Sequence, residues 1–320
     1  MKTYEKYFPF LIVLAAGFII FSFFAPAIFD VNRSIECMIP FIAIGAAILT
    51  FLAFLIQHQA NVQLSNDNKK QQLERQFYEM LKIHCDNVKS FYAEVQYASL
   101  IQGQQILRKA EGQDYFRSLL VEFNLIHSKI EKSEGLGDAF DKAYHVFFFG
   151  IDSVAKELKN ETANLFRNFF TPQNNKALFL DKNSKLAPLA DSLFMGRMDQ
   201  LIPYYRHLFL VVKTVVQFND DLFSYEDKRQ LLRILRAPLS SAEQVLLYYN
   251  WKSGCGEQWE EDSSKPDGNH FFTDYRMVHN IIPRDCWAFN SAEILKFLLD
   301  KNPNYKKIDD KDTLFELIEE

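Results

Sequence analysis

The sequence predicts a mainly α protein, a two-helix transmembrane hairpin followed by an all-α, or nearly all-α, cytosolic domain. Three observations carry this prediction. Phe8 to Ile28 and Met38 to Ile56 hold no charged residue. Beyond Gln57 the apolar residues recur at spacings of three and four, the period of one helix face. Alternation of the kind that builds strands is scarce throughout.

Each apolar run can cross a hydrocarbon core of ~30 Å at ~1.5 Å per helical residue. Backbone groups in lipid must be satisfied within their own segment, so both runs are expected to be helices. The spans lie at about 8–28 and 38–57, within a hairpin over 1–58. Between them, Phe29 to Cys37 carries Asp30, Arg33 and Glu36. Lys2 and Lys6 precede the first span, and Lys69, Lys70 and Arg75 follow the second. The positive-inside rule then places both termini in the cytoplasm. A rival reading takes the first run as a secretory signal cleaved at Ala25-Pro26-Ala27, but the run is longer than the usual apolar core of such signals. Gly45, Ala46 and Ala53 give the second span a small-residue face suited to helix packing, and hence to self-association.

From Gln57 to Leu73 the chain is polar, and a stripe follows at Leu73, Phe77, Met80, His84, Val88, Phe91 and Val95. Bulky Phe and a His suit packing onto the rest of the domain better than a coiled-coil seam. Helices are expected over 114–132 and 138–159, with Glu134-Gly-Leu-Gly137 as the turn between them. Residues 59–170 read as stalk and first helical lobe, 171–188 as a Pro- and Asn-rich linker, and 189–320 as a second lobe. In that lobe, helices are expected over 201–218 and 225–236. A third opens at Ser240-Ser-Ala-Glu243, where Ser240 caps and Glu243 reaches back, and Asn290-Ser-Ala-Glu293 repeats the signal.

Composition bounds the function. The chain has 320 residues, 48% hydrophobic and 24% charged, with 31 Phe and a net charge of −5. Residues 1–70 hold five basic and four acidic groups, which leaves the remainder about six units negative. An acidic soluble part disfavours gripping nucleic acid without a partner. Cys85, Cys255 and Cys286 are expected as thiols in a reducing compartment.

Motifs that would declare a chemistry are missing from the sequence. It has no Gly-rich phosphate loop, no His-Glu-x-x-His and no Cys-x-x-Cys. Cys255, His270, His279 and Cys286 match no zinc spacing, so no metal and no cofactor is expected. Arg276-Met-Val-His279-Asn280 misses the Arg/His spacing of helical HEPN-type ribonucleases. Glu226-Asp-Lys228, after Asp220 and Asp221, reads as a charged helix start rather than a nuclease triad. Arg229, Arg233 and Arg236 stack on one helical face, open to solvent or to an anionic partner.

Two stretches carry a resemblance, Tyr204-Tyr-Arg-His-Leu-Phe209 and Leu235-Arg-Ala-Pro-Leu-Ser-Ser-Ala-Glu-Gln-Val-Leu-Leu-Tyr-Tyr-Asn250. With Phe77-Tyr-Glu-Met-Leu-Lys-Ile-His84 and Tyr144-His-Val-Phe-Phe-Phe-Gly150, they resemble the phage abortive infection proteins of the AbiC-like type. Pro238 stands where a polar residue is more usual in that family. The resemblance implies an antiviral role at a bacterial inner membrane, and it transfers no catalytic residue. Read from the residues themselves, Arg206 and His207, which precede a buried stripe, are candidates for partner or anion binding beside Arg229, Arg233 and Arg236. The expected partners are inner-membrane lipid, further copies of the chain through the hairpin, and a phage, host or defence-system protein as trigger. The expected activity is sensing in the cytosol coupled to the membrane. A membrane-tethered nuclease or other toxic hydrolase, and a non-enzymatic scaffold, stand as alternatives.

Overall fold

The computed structural model describes residues 8–29, 34–98, 105–135, 137–154, 158, 164, 195–265 and 267–316. The chain divides into two compact units, Met1–Glu74 and Arg75–Glu320.

The first unit holds α1 (Phe8–Phe29) and most of α2 (Ser34–Ser90). Their shared seam is narrow. Ala15, Ser22, Gly45 and Leu52 are buried, and Phe21 meets Phe41 edge-on at 5.1 Å. Large apolar side chains elsewhere on both helices stay exposed, among them Val13 (69%), Phe23 (66%) and Phe54 (61%). An apolar surface of this kind is unusual for a protein bathed only in water. Among the described residues one helix, over Ile39–Ser90, is long and apolar enough to cross a membrane, whereas Pro9–Phe24 forms a shorter apolar helix. Both are compatible with membrane association; a pair of full spans is a further step.

The second unit takes in the last turns of α2, then β1 (Tyr92–Ala98) and β2 (Gln105–Glu111). These strands pair antiparallel from Tyr92 opposite Glu111 to Ala98 opposite Gln105. The helical stripe read through Val95 is corrected here, because α2 ends at Ser90 and Val95 lies in β1. Apolar and polar residues alternate only over Ala93–Tyr97 of β1 and not in β2, so the hairpin left little signal in the sequence. Next come α3 (Gln113–Glu134), α4 (Ala139–Phe149) and the short α5 (Ile151–Val154). Beyond the undescribed stretch lie α6 (Met198–Val216), α7 (Tyr225–Arg236), α8 (Ser241–Lys252) and α9 (Ser291–Lys301).

Helix α8 is the centre of this unit. Every residue from Ala242 to Trp251 is buried, so α8 has no solvent face and neighbours surround it. Its Tyr249 ring lies 4.7 Å from Phe123 of α3 and 5.4 Å from Phe140 of α4. Glu122 of α3 and Arg197, just before α6, form an ion pair at 2.7 Å with both side chains almost wholly buried. Helices before and after 171–188 thus share one aromatic core within the unit Arg75–Glu320. The stretch itself lies outside the described residues, and the first unit ends at Glu74 rather than near residue 58.

Capping boxes open three of the later helices. Ser240 with Glu243 starts α8, Asn290 with Glu293 starts α9, and Ser224 with Asp227 starts α7. In each, the cap oxygen accepts the N3 amide while the N3 carboxylate accepts the cap amide, which satisfies donors otherwise left bare.

Candidate functional site

The segments Tyr144–Gly150, Tyr204–Phe209 and Leu235–Asn250 are far apart in sequence and meet at one cavity of about 620 Å³. Phe148 and Phe149 come from the end of α4, and Ile202, Tyr205, Arg206 and Phe209 from α6. Asn250 comes from α8, and the turn Gly254–Trp259 closes the remaining wall.

Glycines set the shape of this cavity. At Gly150, where φ is +88°, an added Cβ would lie 2.6 Å from the Met195 carbonyl oxygen. That crossing lets the Arg197 amide donate to Phe148 O at 2.9 Å, which fixes the end of α4 against the start of α6. At Gly256 a Cβ would lie 2.3 Å from Asn250 Oδ1, so only glycine leaves that side chain its place.

The walls are aromatic and the floor is polar. Phe209 meets Trp259 edge-on at 5.3 Å, and Phe148 meets Phe149 at 5.0 Å. On the floor Asn250 Nδ2 donates to Tyr144 Oη at 2.9 Å. The Tyr205 hydroxyl beside it is buried and makes no hydrogen bond of acceptable geometry. Burial pushes the Tyr144 and Tyr205 hydroxyls far above their ordinary pKa, so both are neutral. Cys255, an exposed thiol that partial burial pushes up in pKa, sits in the same wall. Arg206 is exposed at the rim, and no hydrogen bond or ion pair joins it to the described residues.

The other face of α6 grips α2. His207 is not in the cavity; its Nε2 lies 3.2 Å from Met80 O, and its ring stacks on His84 at 6.0 Å. His84 is 1% exposed, and neither ring nitrogen has a hydrogen-bond partner. Burial, helped by the neighbouring His207, lowers its pKa to about 4. Tyr204 packs against His84 at 5.3 Å and donates to Glu243 Oε1 at 2.9 Å. Glu243 thus caps α8 and ties it to α6. Its Oε2 takes the Ser240 amide and hydroxyl, each at 2.7 Å, and burial raises its pKa despite these bonds.

Arg229, Arg233 and Arg236 do share one surface, the wall of a second cavity of about 740 Å³. Two of them are already engaged. Arg229 holds Asp312 with two bonds at 2.9 and 3.0 Å, and Arg236 donates to Arg276 O at 2.7 Å and Asn280 Oδ1 at 3.0 Å. Arg276 is wholly buried with φ 57°, and it reaches the same Asp312 at 3.0 Å. Burial together with the neighbouring Arg229 and Arg233 lowers the Arg236 pKa to about 10. Burial opposes ionisation of Asp312, yet the hydrogen bonds from Arg229 and the charge of Arg276 hold its carboxyl below the usual range. Arg233 alone of the stripe points to solvent, and Glu226, Asp309 and Glu316 on the same wall offset its charge. Within the stripe, Arg229 pins the segment around Asp312 and Arg236 pins the segment Arg276–Asn280.

The remaining candidates separate. His270 faces Glu260 at 3.5 Å, His279 Nδ1 lies 2.7 Å from Leu314 O, and Cys286 Sγ is 3.7 Å from Ile282 O. With Cys255 at the first cavity, the four do not converge. Lys228 reaches Asp220 at 2.6 Å and Val216 O at 2.9 Å, while Asp227 serves the cap of α7. Gly45 is buried against α1, where a Cβ would lie 2.7 Å from Ile19 Cγ1; Ala46 and Ala53 are exposed.

Sequence reading singled out Arg206 but not Tyr205, Phe149, Asn250 or the Gly254–Trp259 turn as lining. The pair Gly254-Cys-Gly256 was the available signal, since closely spaced glycines mark tight backbone approach.

Residues 196–286 match the family model described as "Putative phage abortive infection protein". That segment contains most of the cavity wall and all of α6, α7 and α8. No curated protein matches the chain. No solved structure matches it either.

Proposed function

Starting from the abortive-infection family match over 196–286, we propose that this protein is a membrane-anchored antiphage effector whose aromatic cavity receives the trigger. One observation carries this reading. Three of the four segments on which the resemblance rests meet at the cavity, and the fourth, Phe77–His84, is the stretch of α2 that α6 holds on its other face. Helix α2 is continuous from Ser34 to Ser90, so a shift of α6 has a covalent route into the apolar helix. In this reading α1 and α2 both span the inner membrane, with both termini in the cytoplasm. A single hairpin encloses no pore, so the response requires several copies, gathered through outward-facing residues such as Ala46 and Ala53.

The test is the order of events after phage challenge. Cells carrying the full chain should lose inner-membrane potential before RNA or DNA is cut. Arg206→Glu, at the exposed rim, should delay or abolish that loss with protein levels unchanged. Growth arrest with the potential intact and nucleic acid degraded would overturn this reading in favour of a tethered hydrolase.

A further inference from the structure

We infer that the cavity between α4, α6 and the Gly254–Trp259 turn binds a planar aromatic anion of mononucleotide size. This rests on the proposal that the cavity is the trigger site, and it names the chemical class of the trigger.

Four features of the cavity lead there. At about 620 Å³ it falls in the range of ~300–1,000 Å³ that encloses a drug-sized molecule. Its walls are rings, with Phe149 40% exposed and Phe209 and Trp259 meeting edge to face at 5.3 Å. Rings offer a planar π-system stacking and edge contacts that an aliphatic chain does not use. Its floor holds one buried polar atom, the Tyr205 hydroxyl, that lacks a well-formed hydrogen bond. The Tyr205 hydroxyl has the Tyr144 hydroxyl near it but makes no hydrogen bond of acceptable geometry, and Asn250 spends its Nδ2 on Tyr144 while Oδ1 faces Gly256. Buried polar groups without partners are costly, so a ligand edge bearing donors and acceptors gains by meeting them. Lastly, Arg206 stands at the mouth with its guanidinium unpaired, a fork that matches a phosphate or carboxylate.

The same features exclude other occupants. A lipid chain would leave the floor unsatisfied. A nucleic-acid polymer would carry its next phosphates past Glu257, the exposed carboxylate on the same rim, with only Arg206 to attract them. One ring system with one anionic group is what the site balances.

Cys255 supplies the reporter, because it is an exposed thiol in the cavity wall. The full-length protein in lipid nanodiscs would be alkylated with a neutral reagent, and the rate at each cysteine read by peptide mapping. Adenosine, guanosine, cytidine and uridine monophosphates are the probes, with adenosine and inorganic phosphate as the arms lacking the anion or the ring. At least one monophosphate should slow alkylation of Cys255 about tenfold at about ten times its Kd, with Cys85, a half-buried thiol outside the cavity, unaffected. Adenosine and phosphate should each protect less at equal concentration. Arg206→Gln should reduce the monophosphate's protection to that of adenosine, and Arg206→Lys should keep part of it.

Absence of protection by all four monophosphates would overturn the ligand class. So would equal protection by phosphate alone, or by adenosine alone. The depolarisation assay is independent of this readout. A chain that depolarises on infection while Cys255 ignores every probe discards the ligand and keeps the proposed function.

Discussion

Ser240 shows how a residue's role changes once its neighbours are known. Its hydroxyl accepts the Glu243 amide at 3.3 Å, so Ser240→Ala should cost about 1 kcal/mol in a denaturation experiment. From sequence alone, Asp is expected to replace Ser as a cap. The structure argues otherwise, because the cap oxygen sits 2.7 Å from the buried Glu243 carboxylate. A second carboxylate there meets like charge in a poorly solvated place. Ser240→Thr should therefore restore stability and Ser240→Asp should not; full rescue by Asp would refute this account. His84 gives a prediction in pH. Its folded pKa of about 4 lies below the ordinary 6.5, so between these values the unfolded chain binds the extra proton. Stability from the neutral ring is complete above about pH 6.5 and is lost as pH falls through the window, by of order 3 kcal/mol. Denaturation at pH 7 and pH 5 should show about 2 kcal/mol of this fall, and His84→Leu should flatten it relative to the native chain.

At the scale of elements, close helix approach separates residues that the sequence placed together. Gly45, Ala46 and Ala53 read as one small-residue face, but Gly45 packs on Ala15 and Ile19 within the chain while the two alanines face outward. Gly45→Leu should accordingly disturb the α1–α2 pair, and Ala46→Leu or Ala53→Leu should affect only contacts between copies. Crosslinking in membranes, within one chain and between chains, would distinguish them; equal loss of both crosslinks in all three variants would contradict the assignment. The Gly150–Gly196 crossing is the counterpart near the cavity. Gly150→Ala combines a strained φ with a clash against Met195 O, and should destabilise the second unit by about 2 kcal/mol or more. A melting curve unchanged from the native chain would contradict that.

For the whole molecule, the proposed topology makes a direct chemical prediction. Cys37, in the first turn of α2, should react with a membrane-impermeant thiol reagent once the outer barrier is opened. Cys255 is exposed in the second unit, so it should react only after the inner membrane is lysed. Reaction of Cys255 in intact spheroplasts would overturn the orientation. Cys286 is a poorer probe, because burial pushes its pKa up to about 12 and leaves little thiolate at neutral pH.

The amino-acid sequence determined what depends on near neighbours along the chain. The helices α3, α6 and α7 follow from apolar spacing, and α8 and α9 from the caps at Ser240 and Asn290, whose side chains lie three residues from their partners. The charge-free runs likewise declare apolar helices, because composition alone sets their solvent. Tertiary structure decided what depends on distant neighbours. Arg229 and Asp312 pair across 83 residues, and Tyr204 reaches Glu243 across 39, with no local pattern to announce either. The β1–β2 hairpin and the single core spanning both sides of 171–188 belong to the same class. So does the cavity, for Arg206 was legible as an isolated charge beside a motif. Only the packing of α4, α6 and α8 gave it aromatic walls and a polar floor, since periodicity tells which face a helix buries but not what it is buried against.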